Sequence, residues 1–144
     1  MTEPAPLCTI DSNVILRYIA RDDPQLLKAA RAILWPLDTG EGRVLCDPVI
    51  LSEVVFVLKS IYGFSPAEIS AGLLRLVRLP GFVMPDKRRY VHALELYASE
   101  VPHFGDACAC AAALEQTEGR LYSFDRKLPR VEGVTRLERP PKTE

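Results

Sequence analysis

Apolar positions recur along this chain in two rhythms, short unbroken runs and longer stretches with a helical repeat. The run Leu7-Cys8-Thr9-Ile10, closed by Asp11, reads as a buried strand that delivers an acid at its carboxyl end. Ser12 to Ala20 reads as a helix, and Asp23-Pro24 caps a second whose stripe is Leu26, Leu27, Ala30, Ile33 and Leu34, ending before Pro36. After the turn Thr39-Gly40-Glu41-Gly42, a strand over Arg43–Cys46 leads to Asp47-Pro48 and a helix to about Ser60. Ser65-Pro66-Ala67-Glu68 is a capping box opening a helix to about Val77, which Pro80-Gly81 breaks. Phe82-Val83-Met84 is a brief apolar run. Pro85-Asp86 then reads as a capped start for a helix carrying Tyr90, Ala93, Leu94 and Tyr97 on one side. Gly105-Asp106-Ala107 leads into an alanine-rich helix ending near Gly119, Arg120–Phe124 forms a strand closed by Asp125, and Val134–Leu137 forms a last one. Strands alternating with helices predict an α/β fold with a mainly parallel central sheet, because parallel strands need crossovers.

A length of 144 residues leaves room for a single domain with one core, and neither a linker nor an internal repeat divides it. The formal net charge of −1 excludes nucleic-acid binding by bulk positive charge, so any such contact must be local. No positive leader precedes an apolar stretch, and no run approaches the ~20 apolar residues of a membrane span, which points to the cytoplasm. Cys8, Cys46, Cys108 and Cys110 sit in apolar runs without a CxxC spacing; they read as small buried thiols, not as zinc ligands. Trp35, Phe56, Tyr62 and Phe64 could line a groove for an amphipathic helix, but core packing explains them equally well and is the expectation.

The chemistry lies in four acids at the ends of elements. Ligands of open parallel sheets bind beyond the carboxyl ends of strands, where Asp11 and Asp125 stand. Glu53 lies in the second turn of a helix apolar nearly all round, which predicts a partly desolvated carboxylate, and Asp106 heads an alanine-rich helix. Four carboxylates in one place repel unless a cation intervenes, and oxygen-only donors favour Mg²⁺ or Mn²⁺. Such an ion suits phosphodiester hydrolysis. Taken singly, each acid is also explained as a cap or a turn residue, and Asp125 is the weakest because Arg126 and Lys127 follow it. Asp22, Asp23, Asp38, Asp47 and Asp86 read as caps and turns.

At these positions the sequence resembles the PIN-domain nucleases, and within them the VapC-type toxins of prokaryotic toxin–antitoxin pairs. The matching pieces are Ile10-Asp11-Ser12-Asn13-Val14-Ile15-Leu16, Ser52-Glu53-Val54, Gly105-Asp106-Ala107 and Ser123-Phe124-Asp125, in the same order, over about residues 7–138. The resemblance implies a three-layer α/β/α sandwich, dependence on Mg²⁺ or Mn²⁺, endonucleolytic RNA cleavage, and a homodimer inhibited by a cognate antitoxin. It makes Asp11, Glu53 and Asp106 the metal-binding core, Asp125 a further acid, and Ser12, Asn13 and Ser123 supporting groups. One departure is His103, which stands where many relatives have an acid, three residues before Asp106. A place in a loop after Pro102 is its expected role.

Arg126 and Lys127, beside the proposed site, are the leading candidates for phosphate contacts among bases that also include Arg17, Arg21, Lys87, Arg88, Arg89 and Arg130. The alternatives are an RNA-processing PIN nuclease without an antitoxin, or an inactive PIN-like binding module. A haloacid-dehalogenase-like phosphatase would need an aspartate where Asn13 stands.

Overall fold

A computed structural model describes residues 5–143. These fall into two compact units, one ending at Lys87 and the other beginning at Arg88. The first holds β1 (Cys8–Thr9), α1 (Ser12–Ala20), α2 (Pro24–Leu34), a 3₁₀ turn (Trp35–Leu37), β2 (Val44–Leu45), α3 (Pro48–Ser60), α4 (Pro66–Val77) and β3 (Phe82–Val83). The second holds α5 (Lys87–Ser99, whose first residue closes the first unit), α6 (Phe104–Gln116), β4 (Arg120–Tyr122) and β5 (Thr135–Leu137).

In the first unit the strands run parallel in the order β1-β2-β3, with Cys8 opposite Val44 and Val44 opposite Phe82. Backbone bonds from Ile10 to Leu45 (2.9 Å) and from Cys46 to Val83 (2.8 Å) carry both ladders one residue further. Each crossover is a pair of helices, α1 and α2 and then α3 and α4, as parallel pairing demands. α1 packs on α2 and α3, and α3 on α4. Ile15, Leu34, Leu37, Leu51, Leu58, Leu73 and Phe82 are almost wholly buried.

Local chemistry sets where these helices begin. Asp23 accepts from the backbone N–H groups of Gln25 and Leu26, and Asp47 from that of Val49, each with proline following at the first helical position. Ser65 and Glu68 form the full reciprocal capping box of α4. Asp22, in contrast, is no cap: it takes both oxygens to Arg17 (3.2 Å each) and accepts from the Tyr62 hydroxyl at 2.9 Å. Asp86 departs as well, since its φ of 54° is left-handed and not the extended backbone of an N-cap.

The second unit pairs β4 with β5 in parallel, Arg120 opposite Thr135 and Tyr122 opposite Leu137. α6 packs on β4 through the tight turn at Gly119, whose φ is +80°. A side chain there would collide with the Gly133 carbonyl oxygen, so the close approach of the two backbones requires glycine as much as the dihedral does. Tyr97 lies edge-on to Phe104 at 5.6 Å between ring centres, both buried.

The expected elements are therefore present, with every strand pair parallel but arranged as a three-stranded and a two-stranded sheet. Burial departs from expectation in several places. β1 is exposed apart from the following Ile10, because it is two residues long and lies at the end of the sheet order, and Cys8 is exposed with it. α3 buries one stripe, Leu51, Val54, Val55 and Leu58, and leaves Val49 (73% exposed) and Phe56 (66%) in solvent. Trp35, at 65% exposed, is not a core residue either; the Arg31 guanidinium stands 5.7 Å from its ring centre. Among the described residues no helix is long and apolar enough to cross a membrane.

Candidate active site

Asp11 follows β1 directly, one residue past buried Ile10, and is the N-cap of α1. Its Oδ1 accepts from the Ser12 N–H at 2.8 Å, while Oδ2 has no hydrogen-bond partner among the described residues. Ser12 is buried beside it, and Asn13 is exposed, lining a groove between α1 and α2 with Val14, Leu26 and Ile33. Parallel pairing places the end of β1 beside the end of β2, about 5 Å away by ordinary strand spacing. α3 starts from that second end, so Glu53 lies about 8 Å along it from Pro48. Asp11 thus stands at the carboxyl edge of the sheet, and Glu53 in the second turn of the helix that leaves it.

Glu53 is exposed, against the expectation of a desolvated carboxylate. Its helix buries only one stripe, and Glu53 shares the solvent face with Ser52 and Phe56. Position, not burial, is what distinguishes it.

In the second unit, Asp106 is half-buried in the first turn of α6. Its side chain stands one turn before Cys110, where burial and then the Asp106 charge push the thiol pKa up. His103 is the N-cap residue of α6 but caps nothing with its ring, and it is exposed, in keeping with a loop role. α6 runs from Asp106 in its first turn to Gln116, and β4 follows it, ending at Tyr122 three residues before Asp125.

Asp125 is exposed and organises a turn: Ser123 Oγ accepts from the Asp125 N–H at 3.1 Å, and Asp125 Oδ1 from the Lys127 N–H at 2.9 Å. Neither of the following bases pairs with its carboxylate. Arg126 turns instead to Glu138, Nε to Oε1 at 3.5 Å. That turn explains Asp125 structurally while leaving Oδ2 without a hydrogen-bond partner among the described residues.

Some acids of this chain are ion-paired, and among the described residues others, including Asp38, Glu41, Asp47, Glu100 and Glu132, are not. Asp22, Glu115, Glu118 and Glu138 each have an arginine at 3.5 Å or less. Asp11, Glu53, Asp106 and Asp125 form no ion pair among the described residues. Several expected RNA-contacting bases are occupied elsewhere: Arg17 by Asp22, Arg89 by Glu115, and half-buried Lys87 by the carbonyls of Leu79 and Phe82. Arg136, which the sequence marks only as part of the last strand, lines a cavity with Arg126, the residue after Asp125.

The PIN domain family matches residues 8–134, a span that contains all four acids and runs through both compact units. The chain belongs to the PIN-domain family. Members of that family are generally metal-dependent nucleases, so the acids of this PIN domain have a chemical context beyond capping and turn formation. No curated protein matched the chain in a separate comparison.

In kind, the hard carboxylate oxygens of Asp11 and Glu53 in the first unit, and of Asp106 and Asp125 in the second, are donors that a divalent ion takes. Among the described residues no group of three or more acidic, histidine or cysteine side chains comes together so that it could hold a metal ion, and the predicted ligands are not gathered into one cluster. Magnesium is often held by one or two carboxylates, with water and substrate phosphate completing its shell, so an open donor set of this sort remains chemically suited to it.

Proposed function

We infer that this PIN domain is a divalent-metal-dependent endoribonuclease, acting in the cytoplasm as the toxin of a VapC-type toxin–antitoxin pair. The observation that carries the nuclease reading is the family match over residues 8–134, a span holding four carboxylates that each follow a strand or lie near a helix start and form no ion pair among the described residues. Asp11, Glu53 and Asp106 would hold Mg²⁺ or Mn²⁺, and Asp125 would act directly or through water. When bound, such an ion supplies activation of water and stabilisation of charge on the scissile phosphate. The chain's own contribution is orientation. Asp11 is locked by its bond to the Ser12 N–H, buried Ser12 and half-buried Ser123 support the two strand ends, and Asn13 is exposed at the first turn of α1. Arg126 and Lys127 adjoin Asp125 and would contact substrate phosphates.

The toxin reading is supported by apolar surface. A groove of about 330 Å³ between α1 and α2 is lined by Val14, Leu26, Ala30 and Ile33, and Trp35, Val49 and Phe56 are exposed. Apolar surface of this kind suits protein partners, here a cognate antitoxin and a second copy of the chain.

The test is RNA cleavage by purified protein in Mn²⁺, beside Asp11→Asn and Asp106→Asn. Asparagine keeps the N-cap acceptor at position 11, so both variants should melt as the wild type does while losing at least about 100-fold in rate. Undiminished cleavage in both would overturn this assignment. Sequencing RNA ends after induced expression, with and without a short neighbouring antitoxin gene, separates a toxin from a processing nuclease; no cleavage and no divalent-ion binding would mark an inactive binding module.

A further inference from the structure

The chain is nearly neutral, but its bases are not evenly spread. From Arg120 to Lys142 there are seven lysines and arginines against three acids, Asp125, Glu132 and Glu138. Three of these bases, Arg126, Arg130 and Arg136, line a surface cavity of about 610 Å³ in the second unit, together with Glu132 and the chain between Leu128 and Thr135.

The arginines of this cavity are under-neutralised. Glu138 Oε1 serves two of them, Arg136 at 2.9 Å and Arg126 at 3.5 Å. The same Arg136 nitrogen, Nη1, also donates to the Ser123 carbonyl at 2.8 Å, which holds the guanidinium in place. Arg130 is exposed and forms no ion pair among the described residues, and Glu132, the acid on the wall, takes part in none. One carboxylate oxygen shared by two guanidiniums is replaceable by a phosphate, which offers several oxygens to forks built for planar, charge-assisted bonds. Arg126 is the residue after Asp125, so the cavity adjoins the turn that carries the fourth acid.

We propose that Arg126, Arg130 and Arg136 form a subsite for the phosphodiester backbone of single-stranded RNA, flanking the position to be cut. The inference rests on the nuclease reading for its ligand, and adds where a strand is gripped. The span of the cavity favours a polymer over a lone phosphate, because 610 Å³ is room for a ligand larger than an ion. Release of Glu138 on binding leaves the two arginines for the strand, while Arg130 adds a charge with no internal competitor.

The experiment measures anisotropy of a fluorescein-labelled single-stranded RNA on the full chain, in EDTA, across a range of salt. Arg130→Glu should weaken binding about 10-fold or more, and should make the slope of log affinity against log salt shallower by about 0.7, one phosphate contact on a single strand. Arg75→Glu, an exposed reversal in the first unit, serves as the control and should stay within about twofold. Unchanged affinity and slope in Arg130→Glu would overturn the subsite. A labelled polyglutamate bound as tightly as RNA, and lost equally on Arg130→Glu, would overturn the RNA assignment in favour of an acidic peptide. Because EDTA removes cleavage, the two readings fail separately: a wild type that binds RNA but never cuts it sinks the nuclease reading alone. An Arg130→Glu variant that cuts with unchanged KM sinks the subsite alone.

Discussion

Asp11 and Asp125 show how a structural role leaves a side chain open to a chemical one. Each spends one oxygen on a backbone N–H, of Ser12 and of Lys127, leaving the other without a hydrogen-bond partner among the described residues. A cap or turn assignment therefore does not compete with a ligand role. At the same scale the cysteines divide by environment. Burial, and secondarily the Asp47 charge, pushes the Cys46 thiol up to about 11, and burial pushes Cys108 to about 11, both from 9.0. With folded pKa values above the unfolded ones, the neutral thiols contribute to stability fully below pH 9; that contribution falls as pH rises from about 9 through about 11. At pH 8 in the native protein, a thiol reagent followed by mass mapping should label exposed Cys8 quickly and Cys46 and Cys108 slowly. Chemical denaturation repeated between pH 8 and 11 should show falling stability. Equal labelling of all three thiols would contradict the assigned environments.

Elements differ in how much of their side-chain surface the fold uses, and α3 is the instructive case. Its residues are apolar on nearly every side, yet Leu58 is fully buried while Phe56, two positions away, is 66% exposed. Leu58→Ala should cost about 2–5 kcal/mol through lost burial and the cavity left behind. Phe56→Ala should cost less than about 1 kcal/mol, since little of its ring leaves solvent on folding. Urea denaturation of both variants checks this, and a Phe56 loss as large as that of Leu58 would mean the exposed face is occupied in the isolated protein. The boundaries of elements were legible wherever a local device wrote them: Asp23-Pro24, Asp47-Pro48 and the Ser65–Glu68 box all begin helices as their chemistry predicts. Asp86 stands in a turn directly before its helix, as Pro85-Asp86 predicts, but with a left-handed backbone in place of the extended one of an N-cap. Exposure of Glu53 was missed, since periodicity cannot say which side of an all-apolar helix finds a partner.

For the whole molecule the decisive quantities are the distribution of charge and the openness of the donor set. Without a gathered cluster of ligands among the described residues, metal should stabilise this PIN domain little. Chelation should abolish RNA cleavage while shifting the melting temperature by less than about 2 °C, and calorimetry should find Mg²⁺ binding in the millimolar range. A melting temperature that collapses on chelation would show that the metal is part of the folded framework. By itself the sequence determined the order and type of the elements, because caps, proline positions and apolar rhythm act within a few residues. It also determined which acids stand at the ends of strands and the starts of helices, since those places are defined along the chain. Only the tertiary structure decided which faces are covered: that β1 and Phe56 meet solvent, that Arg17 and Arg89 are taken by Asp22 and Glu115, and that Arg126 and Arg136 share Glu138. Burial and ion pairing depend on residues distant in sequence arriving at one place, and no local pattern carries that information.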